Sequence, residues 1–133
     1  MSLRSFIVDQ RDFRSDEYWT FAKGTPEEGE TPLETAIRET KEEVGIEFNS
    51  VIEEPSFTTH PYILHNEDGI EIHKLVTYYI GFARTRQFTV EEKEIVKARW
   101  CTFEEARDLI TYDFTRVIID KVDTYLRSEF LDK

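Results

Sequence analysis

The chain has 133 residues, of which 39% are hydrophobic, with ten Phe, six Tyr and two Trp. That suits one domain around one real core and argues against a disordered chain. Seventeen Lys and Arg stand against twenty-eight Asp and Glu, so the formal net charge is −11. A generic nucleic-acid binder needs a basic footprint and is disfavoured, whereas an anionic substrate stays compatible because a bound cation can invert the local field. The single cysteine, Cys101, excludes an internal disulfide and a cysteine-rich zinc site. No apolar run approaches the ~18 residues of a membrane span and no signal-peptide pattern opens the chain. A soluble cytoplasmic domain without a membrane partner is expected, with Met1-Ser2-Leu3 reading as a leader of the kind left by expression.

In chain order, Phe6-Ile7-Val8 is a short strand ended by the polar stretch from Asp9 to Glu17. Tyr18, Trp19 and Phe21 resume an apolar pattern that leads into Lys23-Gly24 and a loop with Pro26 and Gly29. From Thr31 the period becomes helical. Thr31 as N-cap, Pro32 at N1 and Glu34 at N3 form a capping box, and Gly45 is placed to end the helix. Leu33, Ile37, Thr40 and Val44 make its apolar stripe. Ile46 to Ile52 is extended, Phe57 to Leu64 contains a strand that Pro61 near its middle either makes an edge or breaks, and Asn66-Glu67-Asp68-Gly69 is a tight turn before the alternating Ile70 to His73. Leu75 to Phe82 reads as a central strand, and Ala98 to Phe103 as another. Thr102 and Glu105 form a second box, with Phe103, Ala106, Leu109 and Ile110 facing inward. A last amphipathic helix spans about Phe114 to Phe130, burying Val117, Ile118, Val122, Tyr125 and Leu126. The order is mixed α/β in a single domain over 1–133.

Between Glu27 and Glu54 ten Glu face only Arg38 and Lys41. Glu39, Glu42 and Glu43 fall at i, i+3 and i+4, one helix face, where like charges repel. This is either a solvated acidic face or a site for a divalent cation, since Mg²⁺ accepts carboxylate oxygens and is shared with substrate phosphates. Arg38 is spaced to pair with Glu34 or Glu42.

The run from Gly24 to Ile46 resembles the Nudix box, G-x5-E-x7-R-E-U-x-E-E-x-G-U. Gly24, Glu30, Arg38, Glu39, Glu42, Glu43, Gly45 and Ile46 match in register, and Thr40 departs from the bulky aliphatic position. The resemblance implies a loop–helix–loop in an αβα sandwich around a mixed sheet, and a hydrolase of nucleoside diphosphates linked to another group. It implies that Glu39, Glu42 and Glu43 hold Mg²⁺ or Mn²⁺, more than one ion with substrate bound. One of Glu42 and Glu43 would hold the central metal, one of the carboxylates would also orient or deprotonate water, Arg38 would buttress the carboxylates, and Glu30 would hold the loop or an outer water.

The flanks are similar to asymmetric diadenosine tetraphosphate hydrolases. Trp19 to Gly24 resembles their W-x-x-P-K-G entry, with Ala22 in place of proline. Lys74 to Tyr79 resembles K-x-V-x-Y-[YFW], and Trp100 with Phe103 to Leu109 resembles W-x-x-x-E-E-A-x-x-L. This resemblance implies a further metal-associated carboxylate at Glu94 and substrate contacts at Lys23, Gly24, Lys74, Tyr78 and Tyr112, the last as a stacking partner for adenine. Trp19 and Trp100 fit a core at least as well as a base platform, and His60, His65 and His73 show no ligand spacing. The implied substrate is a dinucleoside polyphosphate. Alternatives are (d)NTPs, ADP-ribose or nucleotide sugars, RNA 5′ ends, or a non-catalytic nucleotide-binding or regulatory module. A monomer or a homodimer fits equally. The family pattern asks for one more strand ahead of Phe6-Ile7-Val8, so a first strand that is absent, displaced or supplied by a partner is expected, with an exposed sheet edge as the consequence.

Overall fold

The computed structural model describes residues 5–11, 17–23, 25–91 and 95–131. Among the described residues seven strands are interleaved with three α-helices. β1 (Ser5–Arg11), β2 (Glu17–Thr20) and β7 (Ile95–Cys101) form one antiparallel ladder in the order β2-β1-β7. β1 is therefore the middle strand, with Val8 opposite both Thr20 and Ala98. This corrects the expectation of an edge beside Phe6-Ile7-Val8. The strand also continues past Val8 to Arg11, because ladder partners satisfy its backbone, on both sides through Gln10 and on the β2 side at Arg11.

β3 (Phe48–Thr58) pairs antiparallel with β6 (Thr77–Ala83), and β4 (Tyr62–His65) pairs with β5 (Glu71–Lys74). The stretch from Phe57 to Leu64 is thus two strands: β3 ends at Thr58, and β4 begins at Tyr62 after Pro61. Between β4 and β5 the turn forms as its residues dictate. Gly69 takes a φ of 77° and donates to the Asn66 carbonyl at 2.9 Å, while Asn66 Oδ1 accepts from the amides of Asp68 and Ile70.

α1 (Pro32–Val44) starts on the expected box. Thr31 Oγ1 accepts from the Glu34 amide, and Glu34 Oε1 accepts from the Thr31 amide. Gly45 ends it with a φ of 68° and a hydrogen bond from its N–H to the Lys41 carbonyl. A Cβ at Gly45 would lie 2.7 Å from Thr89 Oγ1, so both the left-handed backbone and the close approach of residue 89 require glycine. α2 (Phe103–Leu109) repeats the box with Thr102 and Glu105. α3 (Asp113–Leu126) runs into a π-helical turn, Arg127–Leu131.

α1 contacts β6, while α2 lies on β1 and β7 and α3 on β3, which gives the αβα layering around the strands. Val44, Ile46 and Ile95 form the core at the end of α1. Cys101, Ala106, Ile110 and Ile119 form a second cluster, and Phe57, Ile80, Ile118 and Leu126 a third. Two stripe assignments change. Ile37 is 38% exposed and Thr35 is buried in its place, because the loop before α1 folds back over the Thr35 side. Val117 is exposed and Ile119 buried, because α3 turns its face toward both α2 and β3.

Candidate active site

Arg38, midway along α1, ties the box together. Its Nε donates to Glu30 Oε2 at 2.6 Å and its Nη2 to Glu30 Oε1 at 3.0 Å, a two-pronged grip on one carboxylate. Nη1 donates to Glu39 Oε1 at 2.8 Å and to Glu42 Oε2 at 3.0 Å. Nη2 also reaches the Thr25 carbonyl at 2.9 Å, which fastens the loop to the helix. Glu30 completes that fastening, because its Oε1 accepts the Glu27 amide and the Thr35 hydroxyl. The Arg38 guanidinium, with help from the Glu27 amide, holds the Glu30 carboxyl down at about 2. Glu30 in turn raises Arg38 above the ordinary guanidinium range. Glu34 is engaged in the cap, so the sequence alternative of an Arg38–Glu34 pair is not the one adopted. Thr40, the departure from the box pattern, donates its hydroxyl to the Ala36 carbonyl at 2.7 Å and so carries no unsatisfied group into the helix.

The three box carboxylates split into two settings. Glu39 and Glu42 each give one oxygen to Arg38, Glu39 shielded and Glu42 open to solvent. Glu43 is only 4% exposed and lies within electrostatic reach of Lys23. Its backbone carbonyl accepts the Glu91 amide at 2.8 Å, and Val44 accepts the Thr89 amide, so residues 89–91 are pinned across the end of α1. Glu94 and Gly24 lie outside the described residues. The donor set is all oxygen, which suits a hard divalent cation, and a nearly buried carboxylate such as Glu43 calls for positive charge beside it. The residues fit a metal by chemistry, although among the described residues no three His, Cys, Asp or Glu side chains converge as a ready cage.

Beside the box is an open cleft of about 920 Å³, lined by Lys23, Lys74, Tyr78, Tyr79 and Trp100 among others. Lys23 and Lys74, far apart in sequence, come close enough to repel. Burial first, and then the Lys74 ammonium, bring Lys23 down to about 8, against the opposing pull of Glu43. Tyr78 packs edge-on against Phe21 at 5.4 Å, and burial pushes its phenol above the usual tyrosine range. Tyr112 is placed differently from Tyr78. It lies outside the cleft lining and in a column of rings, near-parallel to Phe114 at 5.1 Å and tilted against Tyr18 at 5.8 Å. Phe114 is stacked on Tyr62 at 4.1 Å. The sequence assigns Tyr18 and Phe114 only to their elements and gives Tyr62 no role, since only the aromatic composition of those segments hints at a ring column.

Trp19 packs against the Cys101 and Ile110 cluster, so its place is the core. Trp100 donates its indole N–H to the Arg86 carbonyl at 2.9 Å at the cleft wall. His60, His65 and His73 are exposed, and His73 sits beside Glu71 on the hairpin. Among the described residues no helix is long and apolar enough to cross a membrane.

The NUDIX domain family profile matches residues 3–121, so the chain belongs to that family. It is a Nudix-fold hydrolase of the class that acts on phosphoanhydride bonds of nucleotide-linked substrates, a class that typically uses divalent metal. Among curated relatives, the rat asymmetrical bis(5′-nucleosyl)-tetraphosphatase is 30% identical over 115 residues, covering 84% of this chain and 74% of that protein. A Mycobacterium tuberculosis protein that carries the mutator name MutT4 is 28% identical over 127 residues, covering 96% of this chain, which spans only 48% of that longer protein. Among solved structures, the Caenorhabditis elegans Ap4A hydrolase binary complex superposes with a TM-score of 0.78 at 22% identity, covering 96% of this chain and 88% of that one.

Proposed function

We propose that this chain hydrolyses dinucleoside polyphosphates, with diadenosine tetraphosphate giving ATP and AMP. The observation that carries this reading is the convergence of Lys23 and Lys74 on one cleft, with Glu43 beside Lys23. Two ammonium groups so close repel each other and await an anion, and a chain of phosphates supplies several oxygens to both. The aromatic walls at Tyr78, Tyr79 and Trp100 give flat apolar surface next to that charge, as a nucleoside requires. The similarity to asymmetrical tetraphosphatases adds a prior for this substrate over other nucleotides.

In this reading Glu39, Glu42 and Glu43, with Glu94, hold Mg²⁺ or Mn²⁺, whose chemistry when bound is to neutralise phosphoryl oxygens and to make water a better nucleophile. Lys23 and Lys74 hold the substrate's phosphate oxygens in the cleft. Arg38, itself gripped by Glu30, fixes Glu39 and Glu42, so that they do not reorganise as charge develops. One of Glu42 and Glu43 takes the proton of the attacking water. Oxygen from water bonds to phosphorus, the bridging P–O bond breaks, and the departing phosphate carries the electron pair.

The test is product analysis with Mg²⁺ or Mn²⁺ over diadenosine tetraphosphate, ADP-ribose, dNTPs and 5′-triphosphorylated RNA. ATP plus AMP from the first substrate, at the highest kcat/KM, is the expected result. A higher kcat/KM for any other substrate moves the substrate assignment and spares the chemistry. Binding of these nucleotides without turnover of any would make the fold a nucleotide-binding module.

A further inference from the structure

The hairpin β4–β5 pairs with no other strand among the described residues. A lone two-stranded hairpin is marginal in water, so its orientation depends on what it leans against. At its base Thr59 and Val76 exchange hydrogen bonds of 3.0 and 3.1 Å, and the hydroxyls of Thr58 and Thr77 meet at 2.9 Å. Further out, its ring contact with the body is Tyr62 stacked on Phe114, 4.1 Å between centroids and 15° between planes. In the ladder Tyr62 is directly opposite Lys74, so both side chains leave the same face, one onto Phe114 and the other into the cleft.

The other end of the column is equally anchored. Phe114 lies near-parallel to Tyr112, and the neighbouring Thr111 exchanges hydrogen bonds with Trp19, its Oγ1 accepting from the Trp19 amide at 2.8 Å and its own amide donating to the Trp19 carbonyl at 3.2 Å. Trp19 belongs to β2, four residues before Lys23. A continuous chain of contacts therefore runs from Lys23 through β2, Thr111, Tyr112, Phe114 and Tyr62 to Lys74. We infer that Phe114, wedged between Tyr62 and Tyr112, is a positioning residue that sets the spacing of Lys23 and Lys74 across the cleft. It touches neither lysine. Its effect passes through the hairpin, and it holds whatever anion the cleft takes. Only the kinetic arm of the test rests on the dinucleoside polyphosphate reading.

The test compares the full chain with Phe114→Ala and Phe114→Tyr. A short amine-to-amine cross-linker, applied without substrate and followed by peptide mass spectrometry, reads the Lys23–Lys74 pair directly. The expected result is a several-fold lower yield in Phe114→Ala and recovery in Phe114→Tyr. Amide hydrogen exchange in 62–74 should speed up by roughly two- to tenfold in Phe114→Ala, the range that follows from losing one stacked pair, while exchange in α1 stays unchanged. On diadenosine tetraphosphate KM should rise and kcat hold. A cross-link yield equal to that of the parent in a folded Phe114→Ala protein overturns the inference, whatever the activity shows. So does an equal loss of yield in Val122→Ala, a substitution elsewhere on α3, since that would mark general loosening.

Discussion

The two walls of the cleft are held by different forces. The box wall, from Thr25 to Gly45, is tied by charge over short sequence distances: Arg38 reaches Glu30, Glu39, Glu42 and the Thr25 carbonyl. The facing wall, which Lys74 enters from the hairpin of β4 and β5, is tied by rings: Tyr62 meets Phe114 across about fifty residues, and Phe114 meets its near neighbour Tyr112. A charge network with fixed hydrogen bonds holds groups to the tolerance that chemistry on phosphorus needs. Stacked rings under a hairpin bonded to the body at its base give contact area with some latitude, which suits a wall that has to admit and release a ligand. On the proposed function, turnover belongs to the first wall and grip to the second.

The largest effect that could break this division is at the carboxylates. Glu43→Gln and Glu42→Gln should each lower kcat about a hundredfold or more, as expected for losing a charged group that acts in the reaction, with thermal unfolding little changed. If steady-state rates with Mg²⁺ are unaffected in both, the box is not the catalytic wall. Next comes Arg38→Lys. An ammonium cannot reproduce the fork that spans Glu30, Glu39 and Glu42, so kcat/KM should fall about ten- to hundredfold, as for other residues that orient metal-binding groups. Lys74→Met on the facing wall should raise KM about tenfold, the loss of one charge-assisted contact, with kcat held.

Two smaller tests concern how the box wall is built. Gly45→Ala places a side chain at a φ of 68° with its Cβ 2.7 Å from Thr89 Oγ1. The backbone term alone costs about 1–2 kcal/mol, to be read by denaturant unfolding. The acid limb of stability should carry the mark of Glu30. Its folded value of about 2 lies below the ordinary 4.5, so its contribution is complete above 4.5 and is lost as pH falls through that window toward about 2. Melting temperature followed over that range should drop less steeply in Glu30→Gln. An identical slope would remove Glu30 from the account of acid stability.

What the sequence made legible follows the same division. Both capping boxes, the Gly45 stop and the Asn66–Gly69 turn appear as expected, because each is settled by bonds within about four residues. The box carboxylates were legible as a pattern, but spacing alone could not show that Glu43 is buried near Lys23 while Glu42 stays in solvent. That depends on residues 89–91 crossing the end of α1. The ring column was illegible, since nothing local to Tyr62 or Phe114 tells which aromatic lies opposite. Tyr112 was picked out by its position and not by its surroundings, which turn out to be Phe114 and Tyr18. The place of β1 between two partners was also beyond a strand pattern, because pairing order is a property of the whole chain.

The division between the walls is tested most directly by measuring kcat and KM for Glu43→Gln and Lys74→Met side by side on diadenosine tetraphosphate with saturating Mg²⁺. The account predicts that Glu43→Gln loses kcat with KM near that of the parent, and that Lys74→Met raises KM with kcat near that of the parent. A Glu43→Gln protein that turns over normally with a raised KM, or a Lys74→Met protein that binds normally and loses kcat, would contradict it.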